Sequence, residues 1–265
     1  MRKAALVLVA CMFLPPPAAQ AADNEALEIM RRVDAVDDGD NRTARMSMTL
    51  IDRNGSTRTR RLQTFMKDRG RDTLNLMFFL SPANVRNTGF LTHDFRDPSR
   101  DDDQWLYLPE LRKTKRIAGS SKSQSFMGTD FSYADMTRRV TEEWNYRLLG
   151  ERDVRGKSAW LIEATPTSAA VRERYGYAKS VVFVRKDIDV VVRAVHWLTK
   201  GGQLKYLDVT ELERIDGIWT RVELDMRTVR NETTQHRTVL RFEDVRYNQD
   251  LGADLFTLRR LERGL

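Results

Sequence analysis

The chain has 265 residues, with 45 Lys and Arg against 38 Asp and Glu and a formal net charge of +7. That length suffices for one large domain or two small ones with a sizeable core. The single cysteine is Cys11, inside a leader-like segment, so the remainder of the chain has no disulfide, thiolate metal site or cysteine nucleophile.

Residues 1–21 read as a secretory signal peptide. Arg2 and Lys3 form its charged start, Ala4 to Leu14 its apolar stretch, and Ala19-Gln20-Ala21 an A-x-A cleavage site. The apolar run ends at Pro15-Pro16-Pro17, short of the roughly 20 residues that a bilayer span needs. Cleavage after Ala21 takes away two basic residues and no acidic one, which lowers the net charge from +7 to +5. In an exported chain such a balance points to anionic lipid head groups or an acidic partner surface rather than to nucleic acid. Leu8-Val9-Ala10-Cys11 also resembles a lipobox, which would give an anchored form with a lipidated Cys11.

Asn24 to Val36 follows as the first helix: Asn24 is its cap, Leu27, Met30 and Val33 make an apolar stripe, and Gly39 ends it. The period then changes to two. Ala44, Met46, Met48 and Leu50 alternate with Arg45, Ser47 and Thr49, and Asn54-Gly55 supplies a hairpin turn. Further strands are expected at 60–66, 72–80, 104–108, 112–117, 144–149, 158–165, 180–185, 190–198, 204–212 and 239–247, with Val222, Leu224 and Met226 marking another. Turns at Arg155-Gly156, Asp187 to Asp189, Gly201-Gly202 and Asp216-Gly217 separate several of them. Ten or more strands joined by short turns imply an antiparallel meander with one wet and one dry face, curled or closed into a barrel. One helix cannot cover the whole dry face, so the sheet either closes on its own side chains or encloses an apolar cavity.

The segment from Ala118 to Arg139 has no clear period. It combines Gly and Ser residues with Phe126, Met127, Phe131, Tyr133 and Met136, and Asp130 to Met136 is expected to form a short helix. A long loop with such side chains reads as a lid over the open end of the sheet. Leu76-Met77-Phe78-Phe79-Leu80 is apolar on both faces, one parity for the interior and the other for a helix or partner. Arg112-Lys113-Thr114-Lys115-Arg116 carries basic groups on both faces. It reads either as an edge strand protected by charge or as a docking rim for phosphate head groups or an acidic partner. His93, His196 and His236 are isolated and read as surface or packing residues, and Asp101-Asp102-Asp103 as a solvated loop without calcium-loop spacing. No nucleophile and base pair stands out, so neither an enzyme, a metal site nor a cofactor is expected.

The stretch Asp103-Gln104-Trp105-Leu106-Tyr107-Leu108-Pro109-Glu110-Leu111-Arg112-Lys113, then Arg116-Ile117, then Ser125 to Met136 resembles the outer-membrane lipoprotein-sorting proteins of the LolA/LolB-like superfamily. The resemblance implies one domain over 22–265: an unclosed antiparallel β-barrel of about eleven strands around an apolar cavity, with helices at the opening. It also implies a periplasmic carrier of lipid or lipoprotein acyl chains between envelope membranes, in transient contact with the membrane surface. An inner-membrane RND-type or ABC transporter is then a candidate partner. The competing function is a non-catalytic adaptor of an RND-type exporter. On the carrier reading, Phe78, Trp105, Tyr107, Phe126, Met127, Phe131 and Tyr133 belong to the cavity or lid, and Arg112, Lys113, Arg116 and Asp130 to a polar rim.

Overall fold

The computed structural model describes residues 17–265. Residues 1–16 of the expected signal peptide, with Cys11, lie outside the described residues, and residues 17–21 belong to the first helix, α1 (Pro17–Asp34). This helix starts earlier than expected, so Asn24 is interior to it and not its cap. The preceding run of Ala18, Ala19, Ala21 and Ala22 has high helix propensity and continues the helix toward the N-terminus. Farther along the helix Ala26, Ile29 and Met30 are buried.

Thirteen strands follow: β1 (Asn41–Asp52), β2 (Thr57–Arg69), β3 (Asp72–Ser81), β4 (Gly89–Asp94), β5 (Asp103–Leu108), β6 (Lys113–Arg116), β7 (Trp144–Val154), β8 (Lys157–Pro166), β9 (Tyr177–Arg185), β10 (Val190–Leu198), β11 (Gln203–Ile215), β12 (Ile218–Arg230) and β13 (Thr233–Tyr247). Helix α2 (Ala169–Tyr175) joins β8 to β9, and α3 (Leu258–Arg263) closes the chain. All thirteen strands form one antiparallel sheet in the order β6-β5-β4-β3-β2-β1-β13-β12-β11-β10-β9-β8-β7. The expected unclosed antiparallel barrel is therefore present, with thirteen strands in place of about eleven. β4 is one that periodicity missed, because Phe90 and Leu91 are buried on opposite faces and no polar alternation marks the strand.

The topology explains the long loop. The chain meanders from the central β1 out to β6, crosses to the opposite edge at β7, and meanders back until β13 pairs with β1, matching Met48 to Leu240 and Leu50 to Thr238. The crossing segment, residues 117–143, thus spans from one free edge to the other over the dry face. The turns use the residues expected of tight hairpins. Arg155-Gly156 and Asp216-Gly217 both take left-handed backbone conformations, the geometry that matches the twist of two antiparallel strands.

The two parities of β3 have different covers. Met77 and Phe79 face the interior with Met46, Met48, Leu50, Leu62, Phe90 and Leu240. Leu74, Leu76 and Phe78 face outward, beneath Phe256 and Leu261 at the C-terminal end of the chain. Gly89 permits this approach: a Cβ there would lie 2.6 Å from Leu261 Cδ1. The helix that covers the outer parity is therefore α3, which the sequence reading did not anticipate.

Candidate functional site

Within the crossing segment, Ser125 and Ser132 form a β-bridge, and the Phe126 amide donates to the Phe131 carbonyl at 2.8 Å. The residues between them are a short hairpin whose tip, Met127-Gly128, takes left-handed conformations at φ 51° and 78°. Phe126 is fully buried. Its ring lies 4.9 Å from that of Phe90, 5.5 Å from Tyr133 and 6.4 Å from Phe79. With Phe131 and Tyr133 it fills the interior of the sheet, where burying each such side chain stabilises by about 1.5–3 kcal/mol. The expected short helix is one 3-10 turn, Tyr133–Met136, capped by Ser132 and Asp135 in reciprocal hydrogen bonds.

The hairpin is held to the wall by polar groups as well. Arg60 Nη1 donates to the Met127 carbonyl at 2.7 Å, and Gln104 Nε2 to the Tyr133 carbonyl at 2.8 Å. Asp130 accepts from Thr228 Oγ1 at 2.5 Å and Thr238 Oγ1 at 2.7 Å, with His236 Nδ1 at 2.6 Å, while its own amide donates to Thr238 Oγ1 at 3.0 Å. Asp135 accepts from the Ser132 amide and hydroxyl and from Tyr177 Oη, and Lys205 Nζ lies 4.0 Å away.

These wall partners are ordered by register. Ser180 pairs with His196, His196 with Lys205, Lys205 with Thr228, and Thr228 with His236. Cross-strand partners share a face, so five strands contribute one continuous polar row to the inner wall. One step along the strands the row becomes Val182, Ala194, Leu207, Met226, Thr238 and Leu50. The next contains Val209, Leu224, Leu240 and Met48. A polar belt at one end thus borders an apolar wall.

Burial sets the protonation of the belt. It depresses the His196 imidazole to about 3, with Arg139 adding to the effect, so the ring is neutral; it stacks on Tyr177 at 4.4 Å and meets Ser180 Oγ at 2.7 Å through Nδ1. Burial alone would raise the Asp135 carboxyl, but Lys205 and the Ser132 hydrogen bond outweigh it and hold the group ionised below its usual range. At the root of the loop, burial and then the neighbouring Asp102 raise Asp94, which accepts from the Arg138 amide at 2.6 Å. Lys122 is buried beside this pair, with Nζ 3.8 Å from Asp102.

Of the eleven residues read from sequence, the structure brings Phe126, Met127, Phe131 and Tyr133 together in the interior. Phe78, Trp105 and Tyr107 lie on the outer face with α3, where Trp105 packs edge-on against His93 at 5.1 Å. Arg112, Lys113 and Arg116 are exposed on the free edge at β6, Arg116 in an ion pair with Asp103. Asp130 is not at a rim: it is buried, because its carboxylate meets three wall side chains. Asp102 departs likewise from the solvated-loop reading, being turned inward to accept from the Phe95 amide. The polar row was missed. Its signal is a lone polar residue at an inward parity, such as His196 after Val190, Val192 and Ala194, or Lys205 before Leu207 and Val209.

An open antiparallel sheet with an N-terminal helix and a loop filling its dry face is the LolA-like architecture. A LolA superfamily protein from Nitrosomonas europaea shares it at a TM-score of 0.64 and 19% identity, covering 91% of this chain and 98% of that one. A Vibrio parahaemolyticus structure, described as an outer membrane lipoprotein-sorting protein domain, superposes at a TM-score of 0.82 with 29% identity over 91% of this chain and all of that one. A DUF1329 family protein from Desulfovibrio piger superposes at 0.83 with 31% identity over 91% of this chain and 99% of that one. A family model described only as "Uncharacterized protein" matches residues 71–263. The chain belongs to the DUF1329 family. No curated protein matches it.

Proposed function

We propose that this protein is a periplasmic carrier that holds an acyl chain of a lipid or lipoprotein against the inner wall of the sheet and moves it between envelope membranes. The observation that carries this reading is the hairpin itself. Phe126 and Phe131 occupy the interior of an open sheet, on a segment whose backbone, among the described residues, bonds to strands only at its two ends and is otherwise held by side-chain latches and by packing, Ala134 against α1 included. Such an occupant leaves without disturbing the strand ladder, and the apolar wall it uncovers suits an alkyl chain. Each CH₂ removed from water gains about 0.8 kcal/mol, which requires no catalytic group. The description of the Vibrio relative as a lipoprotein-sorting domain supports the same reading.

Native mass spectrometry of the purified chain after exposure to membranes tests it. The carrier retains a lipid, and Met48→Asp or Leu240→Asp on the inner wall removes it. A chain that stays lipid-free with membranes supplied, yet co-purifies with an inner-membrane transporter, contradicts the carrier and supports the adaptor.

A further inference from the structure

Two acidic side chains of the loop, Asp130 and Asp135, are seated on one belt of the wall. From the belt and its occupants we infer that the cargo is an amphiphile with an anionic oxygen head group, carboxylate or phosphate, which takes the place of the loop carboxylates on Lys205, Thr228 and His236 while its alkyl tail lies along the adjoining apolar rows. The inference rests on the carrier reading and specifies the substrate class of that site.

Position and chemistry both support it. Lys205 is only 8% exposed and its nearest carboxylate belongs to the loop. Thr228 Oγ1 donates to Asp130, and His236 Nδ1 contacts the same carboxylate. When the hairpin and the following turn through Asp135 withdraw together, these groups face the inner chamber without their anions. A purely apolar cargo would seal the Lys205 ammonium, left with only the Tyr177 ring at 5.6 Å and no anion, and two hydrogen-bonding groups under hydrocarbon, which is strongly disfavoured. A head group with two or more anionic oxygens restores what the loop removed.

The apolar rows fix the cargo's direction. They begin one register step from the belt, with Leu207 and Met226 next to Lys205 and Thr228, and continue through Val209, Leu224 and Leu240 toward Met46, Leu62 and Phe79. A head at the belt therefore places its tail where Phe126 and Phe131 now sit. Loop and cargo compete for the same two surfaces, polar and apolar, so binding and hairpin release are one event.

The test compares probes that share one chain: oleate, oleyl phosphate and oleyl alcohol, with inorganic phosphate as the free anion, each titrated against delipidated protein. Oleate and oleyl phosphate are expected to bind at least about tenfold more tightly than oleyl alcohol. In Lys205→Met that ratio falls to within about twofold while the alcohol still binds, and Lys205→Arg keeps it. His236→Leu provides a second wall variant with the same expected direction, and the wild-type ratio itself needs no variant. Equal affinity for oleate and oleyl alcohol, or an unchanged ratio in Lys205→Met, overturns the head-group assignment and leaves the carrier reading standing. Inorganic phosphate that displaces oleate at the concentration at which oleyl phosphate does overturns it too, showing a free-anion site. Failure of every alkyl probe to bind overturns both.

Discussion

Two covers lie on opposite faces of the same strands and are built differently. On the outer face of β3 to β5, the C-terminal end of the chain contributes Phe256 and Leu261 to a cluster with Leu74, Leu76, Phe78 and Leu91. On the inner face the hairpin contributes Phe126 and Phe131 and also seats a buried carboxylate, Asp130, on Thr228, His236 and Thr238, whereas the polar ties of the outer cover run from His93 to the Phe256 carbonyl, from Lys67 to the Leu251 carbonyl and from Thr114 to the exposed Glu262. Apolar burial is non-directional and is lost only when the surface meets water. A hydrogen bond is exchangeable, since net it contributes only about 0.5–1.5 kcal/mol and another polar group replaces it. On the proposed carrier reading the contrast separates the cover that stays from the one that moves: α3 completes the core, and the hairpin holds the place of a ligand.

The sharpest way to break the contrast is to truncate one aromatic on each side. Phe256→Ala is expected to cost about 3–5 kcal/mol in urea unfolding and to leave uptake of an apolar fluorescent probe unchanged. Phe126→Ala, although equally buried, costs less because the hairpin opens without global unfolding, and it increases uptake. Equal losses with no change in uptake would erase the distinction between the covers.

The belt is tested by acid. The folded pKa of His196 lies below its unfolded value, so its stabilising effect is complete above about pH 6.5 and is lost as pH falls toward about 3. Between pH 7 and about 4.5 this group alone removes about 2–3 kcal/mol, and denaturant titrations of His196→Asn are expected to lack that slope. Asp94 has the opposite sign. Its raised pKa means that the folded state holds the proton, so its cost appears as pH rises above the ordinary Asp range. Asp94→Asn is therefore expected to gain about 1–2 kcal/mol over wild type at pH 8 and little at pH 4. The smallest effect belongs to a single latch. Thr238→Val is expected to cost about 1 kcal/mol and to speed hydrogen exchange of the Phe126 and Thr129 amides, with strand amides unchanged.

Much of the fold was legible because a half-buried strand writes its face into every second residue. Met46, Met48 and Leu50 are inward as their parity requires, and the apolar-on-both-faces run of β3 does serve two covers. What escaped was what parity alone does not encode. α3 is six residues of Leu, Arg and Glu, too short for a periodic signal, and its partner Gly89 is recognised only once Leu261 is seen against it. The hairpin aromatics were visible as a group because they crowd one aperiodic loop, whereas Trp105 and Tyr107 lie in a strand whose odd positions face outward. Asp130 is expected at a rim and is buried instead, and no local signal in the sequence marks the difference. Its partners are about a hundred residues away in sequence, on β12 and β13, and only the meander brings them under the loop.

The central claim, that the hairpin is a removable occupant of an acyl-chain site, is tested most directly by tying it down. Asp130→Cys with Thr238→Cys, in a Cys11→Ala background, joins side chains that now hydrogen bond at 2.7 Å. The disulfide-bonded form is predicted to take up no N-phenyl-1-naphthylamine or oleyl alcohol, and the same sample after reduction to bind both. Equal uptake in the oxidised and reduced forms would contradict the account.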